Sequence, residues 1–389
     1  MTNSIINFTK VLCALLICAG LVVAGCTEGS LGDGQSTDGP LGDDQSAEQG
    51  ANLSSAGTAN SYIVSAAGSY SFIPTKGNSK ESVGEIASAE VLWETFGTDV
   101  TPNVGDLVRN VKYTDGVISF ETPDAFKEGN AVIAAKDASG TILWSWHIWL
   151  TDQPQGQVYY NNAGTMMDRN LGATSAKPGD AGALGLFYQW CRKDPFLGSS
   201  STTIETEAKS TITWPSAVYS DSSNGTIVYA TANPTTFIKY NNSNYDWYYT
   251  GSSSTDNNTR WTTSETSKSI YDPCPAGWRV PDGGDNGVWS KALGSSSSFN
   301  QSSQFNSNRS MNFSDKFGSG QTIRYPASGY RDGKDGNLSY VGYEGRYWSA
   351  SPFTVFAYYL YFDTNGYVYP SYYYNRANGF SVRCIQAVD

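Results

Sequence analysis

Between residues 61 and 151, short hydrophobic runs alternate with turn residues. Each run is rich in β-branched and aromatic side chains and is bounded by Gly, Pro, Asn or Asp, which is typical of strands. The runs are SYIVSA, SYSFIP, AEVLWETF, VRNVKYT, GVISFET, NAVIAAKD and TILWSWHIWL. Seven strands at this spacing predict a small N-terminal β-sandwich over residues 61–151, with a hairpin turn at Asp115–Gly116.

The run TILWSWHIWL has the two-residue period of a strand. One face carries Ile142, Trp144, Trp146 and Ile148, and the other carries Leu143, Ser145, His147 and Trp149. His147 is the single histidine of the chain. A lone histidine inside such a strand is interpreted as structural rather than as a metal ligand.

From about residue 156 the pattern changes to Tyr, Trp, Asn, Ser and Gly, with long polar loops. The segment GALGLFYQWCRKD, residues 182–194, is the best helix candidate in this region. Loops this long in an ordered domain usually carry function or specialised packing.

The N-terminus has the pattern of an export signal. Lys10 precedes the apolar run VLCALLICAGLVVAG, which is too short to span a membrane, so residues 1–25 are predicted to be a signal peptide. The stretch LVVAGC resembles the bacterial lipobox, which implies lipidation of Cys26 and an anchor in the cell envelope. The expected location is the outer membrane, with the chain exposed at the surface. The alternative is an ordinary signal peptide with a chance cysteine.

Residues 26–60 contain almost no large apolar side chains and repeat LGD-x-QS at a spacing of ten. Such a segment buries too little surface to offset its ordering entropy, which predicts a disordered tether. The net charge of −11 excludes a nucleic-acid partner, because the chain has no basic patch to neutralise phosphates. Beyond the signal peptide and Cys26, three cysteines remain, and an odd number leaves one over.

Two stretches in the second half are distinctive enough to suggest a family. They are YDPCPAGWRVPDGGDNGVW (271–289) and RYWSASP…AYYLYF…NGFSVRC (346–384). Together with VYYNNAGTMMDRNLGA (158–173), they resemble the Fibrobacter succinogenes major paralogous domain over residues 156–389. That family resembles the C-type lectin fold. The expected fold is therefore mainly β with some α: an N-terminal β-sandwich followed by a C-type lectin-like α+β domain.

The resemblance implies a disulfide between Cys274 and Cys384, with the final strand beside the start of the domain, and it leaves Cys191 as a thiol. Trp278, Trp289 and Trp348 are interpreted as core rings. By strand alternation, Tyr358, Leu360, Phe362 and Val368 are predicted to face inward, with Tyr359, Tyr361, Asp363 and Arg383 outward.

The tyrosine-rich segment is also similar to the variable segments of diversity-generating retroelement targets, in which adenines are rewritten. Asn codons changed in this way do not yield Lys, Glu, Gln, Met or Trp. None of these five types occurs in residues 349–385, whereas they supply about 15 % of the remaining chain. The framework positions are WSASP, Ala357, Leu360, Phe362, Val368, Pro370, Arg376 and GFSVRC. The alternative is a fixed aromatic surface or a core.

We therefore expect a ligand-binding face on this segment. Its predicted residues are Tyr347, Phe353, Thr354, Val355, Phe356, Tyr359, Tyr361, Asp363, Thr364, Asn365, Tyr367, Tyr369, Ser371, Tyr372, Tyr373 and Tyr374. The expected partner is a protein or glycan on another cell, a host or a phage, with pilus subunits as a further possibility. A structural envelope or pilus subunit is the alternative, and a polysaccharide-active enzyme is a less favoured one.

No catalytic, cofactor or metal site is predicted. The single histidine lies in the first domain, so no Ser-His-Asp or Cys-His arrangement forms in the second. DGGDNG (282–287) lacks the twelve-position pattern of a calcium loop, and the calcium-binding triplets of lectins are missing.

Overall fold

Strands dominate the structure, a computed structural model that describes residues 50–241, 245–251, 260–262 and 267–388. The predicted signal peptide, the lipidation site Cys26 and the tether up to residue 49 lie outside the described residues. None of the helices in the described ranges is long and apolar enough to cross a membrane.

The seven strands predicted between residues 61 and 151 are confirmed. The strands of this half are β1 Ala51–Asn52, β2 Ser61–Val64, β3 Ser69–Phe72, β4 Ser88–Thr95, β5 Arg109–Thr114, β6 Val117–Glu121, β7 Gly129–Lys136 and β8 Ile142–Leu150. The predicted hairpin joins β5 to β6, with positive φ angles of 53° at Asp115 and 82° at Gly116. Two consecutive positive φ angles are the signature of a type I′ turn.

These strands form two four-stranded sheets, in the orders β1-β3-β6-β5 and β2-β8-β7-β4. Side chains from both sheets share one buried cluster, including Phe72, Phe120, Ile133 and Trp146. Strands β7 and β8 are buried on both faces, because the side opposite this cluster is covered by the second half of the chain.

The folded part begins before residue 61, so the tether predicted for residues 26–60 is wrong at its C-terminal end. Strand β1 pairs in parallel with β3, and a 3-10 turn follows at Leu53–Ala56. Asn60 is buried, and its side-chain amide donates hydrogen bonds to the carbonyl oxygens of Ile270 and Asp272 at 2.7 and 2.9 Å. Contacts with distant segments therefore order residues whose own composition is that of a tether.

The second half contains many short strands and few helical residues. Its strands are β9 Gly156–Tyr159, β10 Gly164–Met167, β11 Phe187–Gln189, β12 Val218–Tyr219, β13 Ile238–Lys239, β14 Trp278–Arg279, β15 Phe299–Asn300, β16 Phe305–Asn306, β17 Ser310–Asn312, β18 Arg324–Pro326, β19 Tyr330–Arg331, β20 Leu338–Ser339, β21 Glu344–Phe353, β22 Phe356–Asp363, β23 Tyr367–Asn375, β24 Gly379–Ser381 and β25 Ile385–Gln386. The helices are α1 Ile227–Ala232, α2 Val288–Leu293 and α3 Ser314–Phe317, with 3-10 turns at Tyr160–Asn162, Ala181–Ala183 and Ser302–Gln304.

The largest sheet has eight strands in the order β15-β23-β22-β21-β24-β19-β20, with β11 pairing to β24 off this path. Its three long strands, β21 to β23, form an antiparallel meander of 10, 8 and 9 residues. The predicted ligand-binding residues lie on these three strands and their turns.

The predicted disulfide between Cys274 and Cys384 is confirmed. The last strand, β25, pairs with β10 near the start of this half and with β14 just after Cys274. Both ends of the second half are thereby fastened to one small sheet, β14-β25-β10-β9.

The helix predicted over residues 182–194 is wrong, since this segment forms a 3-10 turn, strand β11 and further turns. Gly185 has φ +72°, and a side chain there would meet the carbonyl oxygen of Leu171 at 2.8 Å. Cys191 also has a positive φ, of 63°. Close packing of the surrounding segments fixes a backbone that a helix cannot adopt.

Candidate ligand-binding surface

One face of the β21–β23 meander belongs to a buried core. Leu360, Phe362 and Val368 have no exposed surface and pack with the rings of α2, α3 and β18, such as Trp289 and Phe317. The inward direction predicted for these three residues is confirmed, whereas Tyr358 on the same alternation is only half-buried. This core supports the aromatic side chains on the rest of the hairpin.

Tyr347 is buried on this same face, so its prediction as a ligand contact is wrong. Its side chain is fully inaccessible, and its hydroxyl donates a 2.6 Å hydrogen bond to the carbonyl oxygen of Pro326. Burial raises the pKa of its phenol, which stays protonated. The neighbouring strand β18 covers Tyr347, and strand alternation alone does not predict whether a position is covered.

The opposite face is also partly covered, and this corrects the assignment of Tyr359 to the outward set. Tyr359 is 1 % exposed, with its ring centroid 5.9 Å from that of Trp348 and 5.0 Å from that of Phe380. Strand β24 brings Phe380 against this side of the sheet. The sheet is thus buried on both faces near β24 and becomes accessible only toward β23.

A β-bulge shapes the accessible part. Tyr359 pairs with Tyr372, but Tyr361 pairs with Tyr369, so β23 has one more residue than β22 between these pairs. The bulge contains Pro370, which lacks the N–H of a regular strand position and is tolerated where the ladder is interrupted.

The bulge brings Tyr361, Tyr369 and Tyr372 together as a triad. Their ring centroids are 5.8 Å apart for the pair 361–369, 6.0 Å for 361–372 and 4.8 Å for 369–372. Tyr372 is 39 % exposed, and the other two are half-buried. Each ring therefore retains accessible surface while it packs against its neighbours.

An arginine lies beside one member of this tyrosine triad, with the Arg346 guanidinium 5.7 Å from the Tyr361 ring centroid. The Arg346 guanidinium stacks 3.9 Å from the Tyr330 ring centroid and 4.8 Å from that of Tyr374, and it forms a 2.7 Å ion pair with Glu344. Glu344 also accepts a 3.2 Å hydrogen bond from the hydroxyl of Tyr361. Burial raises the pKa of Tyr361, so its phenol remains a neutral donor.

A second aromatic cluster lies at the turn between β21 and β22. The ring centroid of Phe353 is 5.0 Å from Tyr358 and 4.3 Å from Tyr373, which is 41 % exposed. Phe356 lies 5.6 Å from Tyr373 and 6.0 Å from Tyr245. Tyr245, 40 % exposed, is a residue that the sequence did not assign to the face.

Arg376 holds this turn from below. It is 1 % exposed, donates 2.6 and 3.0 Å hydrogen bonds to the carbonyl oxygens of Thr354 and Phe356, and stacks 4.4 Å from the Trp190 ring. Thr354 has a positive φ of 50° at the tip. The sequence placed Arg376 among the framework residues, but it did not indicate that Arg376 supports this turn.

Asp363 stabilises the turn between β22 and β23. Its carboxylate accepts a 3.0 Å hydrogen bond from the backbone N–H of Tyr367, and the turn closes at Gly366 with φ +83°. The Asp363–Asn365 segment therefore fixes the hairpin between β22 and β23.

The fourteen predicted contact residues other than Tyr347 and Tyr359 all retain accessible surface. The exposed ones are Thr354, Asn365, Tyr367, Tyr372 and Tyr373, and the half-buried ones are Phe353, Val355, Phe356, Tyr361, Asp363, Thr364, Tyr369, Ser371 and Tyr374. The framework positions are buried except for Ser351 and Pro352, which are half-buried.

Arg383, predicted to face outward, is instead 1 % exposed. Residues 382–384 follow strand β24 and run between the two halves of the core, where both sides are covered. Within the described residues, no group of three or more His, Cys, Asp and Glu side chains is placed to hold a metal ion. Asp282 of the DGGDNG segment forms a 2.6 Å ion pair with Arg279.

The comparisons with known proteins add no relative. No family model matches the chain, and neither the curated proteins nor the solved structures contain a significant match.

Proposed function

We propose that the chain is an envelope-anchored lipoprotein that displays a tyrosine-rich ligand-binding surface. In this proposal the first half is a β-sandwich and the second half is a C-type lectin-like domain. The surface consists of the tyrosine triad and the second aromatic cluster around Phe353, Phe356 and Tyr373. An ordinary secreted protein with the same surface would bind in the same way without the anchor.

The observation that carries the proposal is the division of residues 349–385 by burial. Fourteen positions interleaved with the framework carry residues that rewritten Asn codons permit, and of these only Tyr359 is buried. They are Phe353, Thr354, Val355, Phe356, Tyr359, Tyr361, Thr364, Asn365, Tyr367, Tyr369, Ser371, Tyr372, Tyr373 and Tyr374. Many of the framework residues, such as Trp348, Leu360 and Phe380, belong to the two buried clusters. Side chains at the remaining positions are free to change without emptying a core, which is the property that a binding surface under diversification requires.

Tyrosine suits such a surface for energetic reasons. Its ring contributes a large contact area with few rotatable bonds, and its hydroxyl donates or accepts hydrogen bonds at the rim. Here the rings are already packed against each other, so little conformational entropy is lost when a ligand binds. A protein or glycan ligand on another cell, a host or a phage fits this chemistry.

The alternative is a structural envelope or pilus subunit whose aromatic surface packs permanently against another subunit. The same exposed rings support this alternative, since obligate interfaces are also rich in aromatic residues. The two functions differ in whether the exposed positions vary among copies of the gene. A polysaccharide-active enzyme would be recognised by hydrolysis of glycans by the purified chain.

Sequencing the gene from several isolates tests the variable surface. We expect amino-acid substitutions to concentrate at the accessible positions of residues 349–385 and to spare the buried framework, with an adenine-mutated near-copy of the 3′ end nearby. Substitutions spread evenly over the chain would remove the support for diversification and favour the structural subunit.

A binding experiment tests the surface directly. Cells displaying the full chain are screened on arrays of glycans and surface proteins, and the ligands found are tested against the double variant Tyr372→Ser/Tyr373→Ser. We expect a loss of about 100-fold in affinity, because two central rings are removed. The control is Tyr160→Ser, since Tyr160 is 37 % exposed, similar to Tyr372, but lies outside the meander. Equal effects of the two changes would contradict the proposed surface.

A further inference from the structure

Three arginines line one small cavity in the second half, and none of its lining residues belongs to the proposed tyrosine surface. Arg169 follows strand β10, Arg324 begins β18, and Arg383 lies between β24 and β25. The rim is formed by the segment 175–178, in which Ala176 is exposed. The cavity volume is about 10 Å³, which accommodates one occupant of the size of a water molecule.

Arg383 is the most deeply buried of the three and has no carboxylate partner among the described residues. It is 1 % exposed, its Nε and Nη2 donate to the side-chain oxygen of Asn170 at 3.3 and 3.1 Å, and it stacks 3.8 Å from the Tyr325 ring. Its Nη1 is buried without a hydrogen-bond partner. A buried guanidinium left in this way costs considerable free energy.

The phenols around Arg383 do not neutralise it. The hydroxyls of Tyr159 and Tyr325 hydrogen-bond to each other at 2.8 Å. Burial raises the pKa of Tyr159 well above its ordinary value, and burial likewise raises the pKa of Tyr347. These groups therefore carry no negative charge at physiological pH.

Arg324 supplies a second buried donor to the same cavity. Its Nη1 is also buried without a hydrogen-bond partner, and within the described ranges its guanidinium forms no ion pair. Arg169 differs, since it is paired with both Asp168 at 2.9 Å and Asp152. The nearby carboxylates Asp152, Asp168 and Glu128 thus interact with Arg169, whereas Arg324 and Arg383 form no ion pair among the described residues.

We propose that this cavity is a binding site for one monovalent anion of about the size of chloride, held by the Nη1 groups of Arg324 and Arg383. The two guanidinium groups without an ion pair set the sign of the charge, and the small volume favours a single-atom anion over sulfate or phosphate. In either of two cases, the group that the two arginines would bind is a single negatively charged atom. Its source is either a halide ion from solution or one oxygen of a carboxylate that reaches in past residues 175–178.

The site is independent of the tyrosine surface. The whole chain has a net charge of −11, so general attraction of anions to the protein would not explain binding at this place. An ion bound there would join β10, β18 and the segment before β25, three parts of the second half that are distant in sequence. Binding is therefore expected to stabilise the folded state.

Thermal unfolding in different sodium salts tests the proposal. The full chain is compared in chloride, acetate and methanesulfonate at equal ionic strength. We expect the midpoint of the unchanged chain to rise by roughly 2 °C for each tenfold increase in chloride above the dissociation constant. Arg324→Gln should remove this dependence. Acetate acting in place of chloride would identify a carboxylate as the source.

The control variant is Arg109→Gln, which removes a guanidinium that is 44 % exposed and lies in the first half. It should keep the chloride dependence of the unchanged chain. Equal slopes in all three salts, or equal slopes for the unchanged chain and Arg324→Gln, would overturn the proposal.

A second measurement does not depend on a variant that folds. Crystals of the unchanged chain are grown or soaked in sodium bromide, and anomalous scattering locates the ion. A bromide peak within about 3.5 Å of both Nη1 atoms supports the site. Water refined in the cavity, with bromide bound only elsewhere, would overturn it.

Discussion

His147 is a buried residue of strand β8. It is 2 % exposed, its Nδ1 lies 3.0 Å from the hydroxyl of Ser61, and its Nε2 lies 2.8 Å from the side-chain oxygen of Asn130. The oxygen of Asn130 accepts only from an N–H, so Nε2 carries the proton and Nδ1 accepts from Ser61. Burial lowers the pKa of His147 to about 3.

This lowered pKa predicts a specific pH dependence of stability. The unfolded histidine is protonated below about pH 6.5, whereas the folded one stays neutral down to about pH 3. Its contribution to stability is therefore complete above pH 6.5 and is lost as the pH falls toward 3, at about 1.4 kcal/mol per pH unit. Urea unfolding of the chain between these limits measures the loss.

The variant His147→Gln isolates this effect from the titration of carboxylates. Its stability should fall less steeply with decreasing pH, by the amount assigned to the histidine, even if its stability at neutral pH is lower. Parallel curves for the two proteins would contradict the buried neutral histidine.

At the residue scale, the structural interpretation of His147 could be made from the sequence, while Tyr347, Tyr359 and Arg383 were misplaced. Alternation predicts which side of a strand a residue faces, but it does not say whether that side is covered. Tyr325 on strand β18 packs against Tyr347 and Arg383, and Phe380 on strand β24 packs against Tyr359, so tertiary contacts bury these three side chains.

Strand β21 contains a glycine at a position where the neighbouring strand β22 leaves no room for a side chain. Gly345 pairs with Phe362 on β22, and a Cβ on Gly345 would lie 2.1 Å from the Phe362 ring. The ring therefore occupies the space above the glycine backbone. Close packing of this kind leaves no room for a larger residue.

Gly345→Ala should lower the free energy of unfolding by roughly 1–3 kcal/mol through overpacking. Chemical denaturation measures this loss. Combining it with Phe362→Leu, which shortens the side chain above the glycine, should recover part of the stability. Strictly additive losses would show that the two residues do not compete for the same space.

At the element scale, the strands of the first half could be predicted, whereas the helix at 182–194 could not be excluded. The strands are short, regular and separated by turn residues, so local pattern and final structure agree. The segment 182–194 is enclosed by the rest of the chain, with Leu184, Tyr188 and Trp190 all buried. Periodicity does not distinguish an enclosed extended segment from a helix.

The two halves of the chain are joined by an interface that contains both hydrogen bonds and apolar contacts. The sequence did not predict this interface. Trp149 donates a 2.9 Å hydrogen bond to the carbonyl oxygen of Ala173, and Asn130 donates one of the same length to that of Gly172. Buried Lys193 hydrogen-bonds to Ser145 and forms a 2.6 Å ion pair with Asp194. A change of composition along the chain indicates a domain boundary, but it does not show which residues make contact across that boundary.

We expect residues 50–388 to unfold in one cooperative transition, because separation of the halves would expose these buried polar groups. Calorimetry of the chain measures this as agreement between the calorimetric and van't Hoff enthalpies. Trp149→Phe, which removes the interface hydrogen bond, should lower the single transition temperature. Two resolved transitions would instead indicate independent domains.

The meander also restricts how its sequence is able to change. On β22, the core residues Leu360 and Phe362 are two positions apart, and the bulge on β23 sets the offset between Tyr369 and Tyr372. Insertion or deletion of one residue would move every later side chain to the other face of the sheet. Any repertoire built on this scaffold must therefore have constant length, so that its diversity lies entirely in side-chain identity.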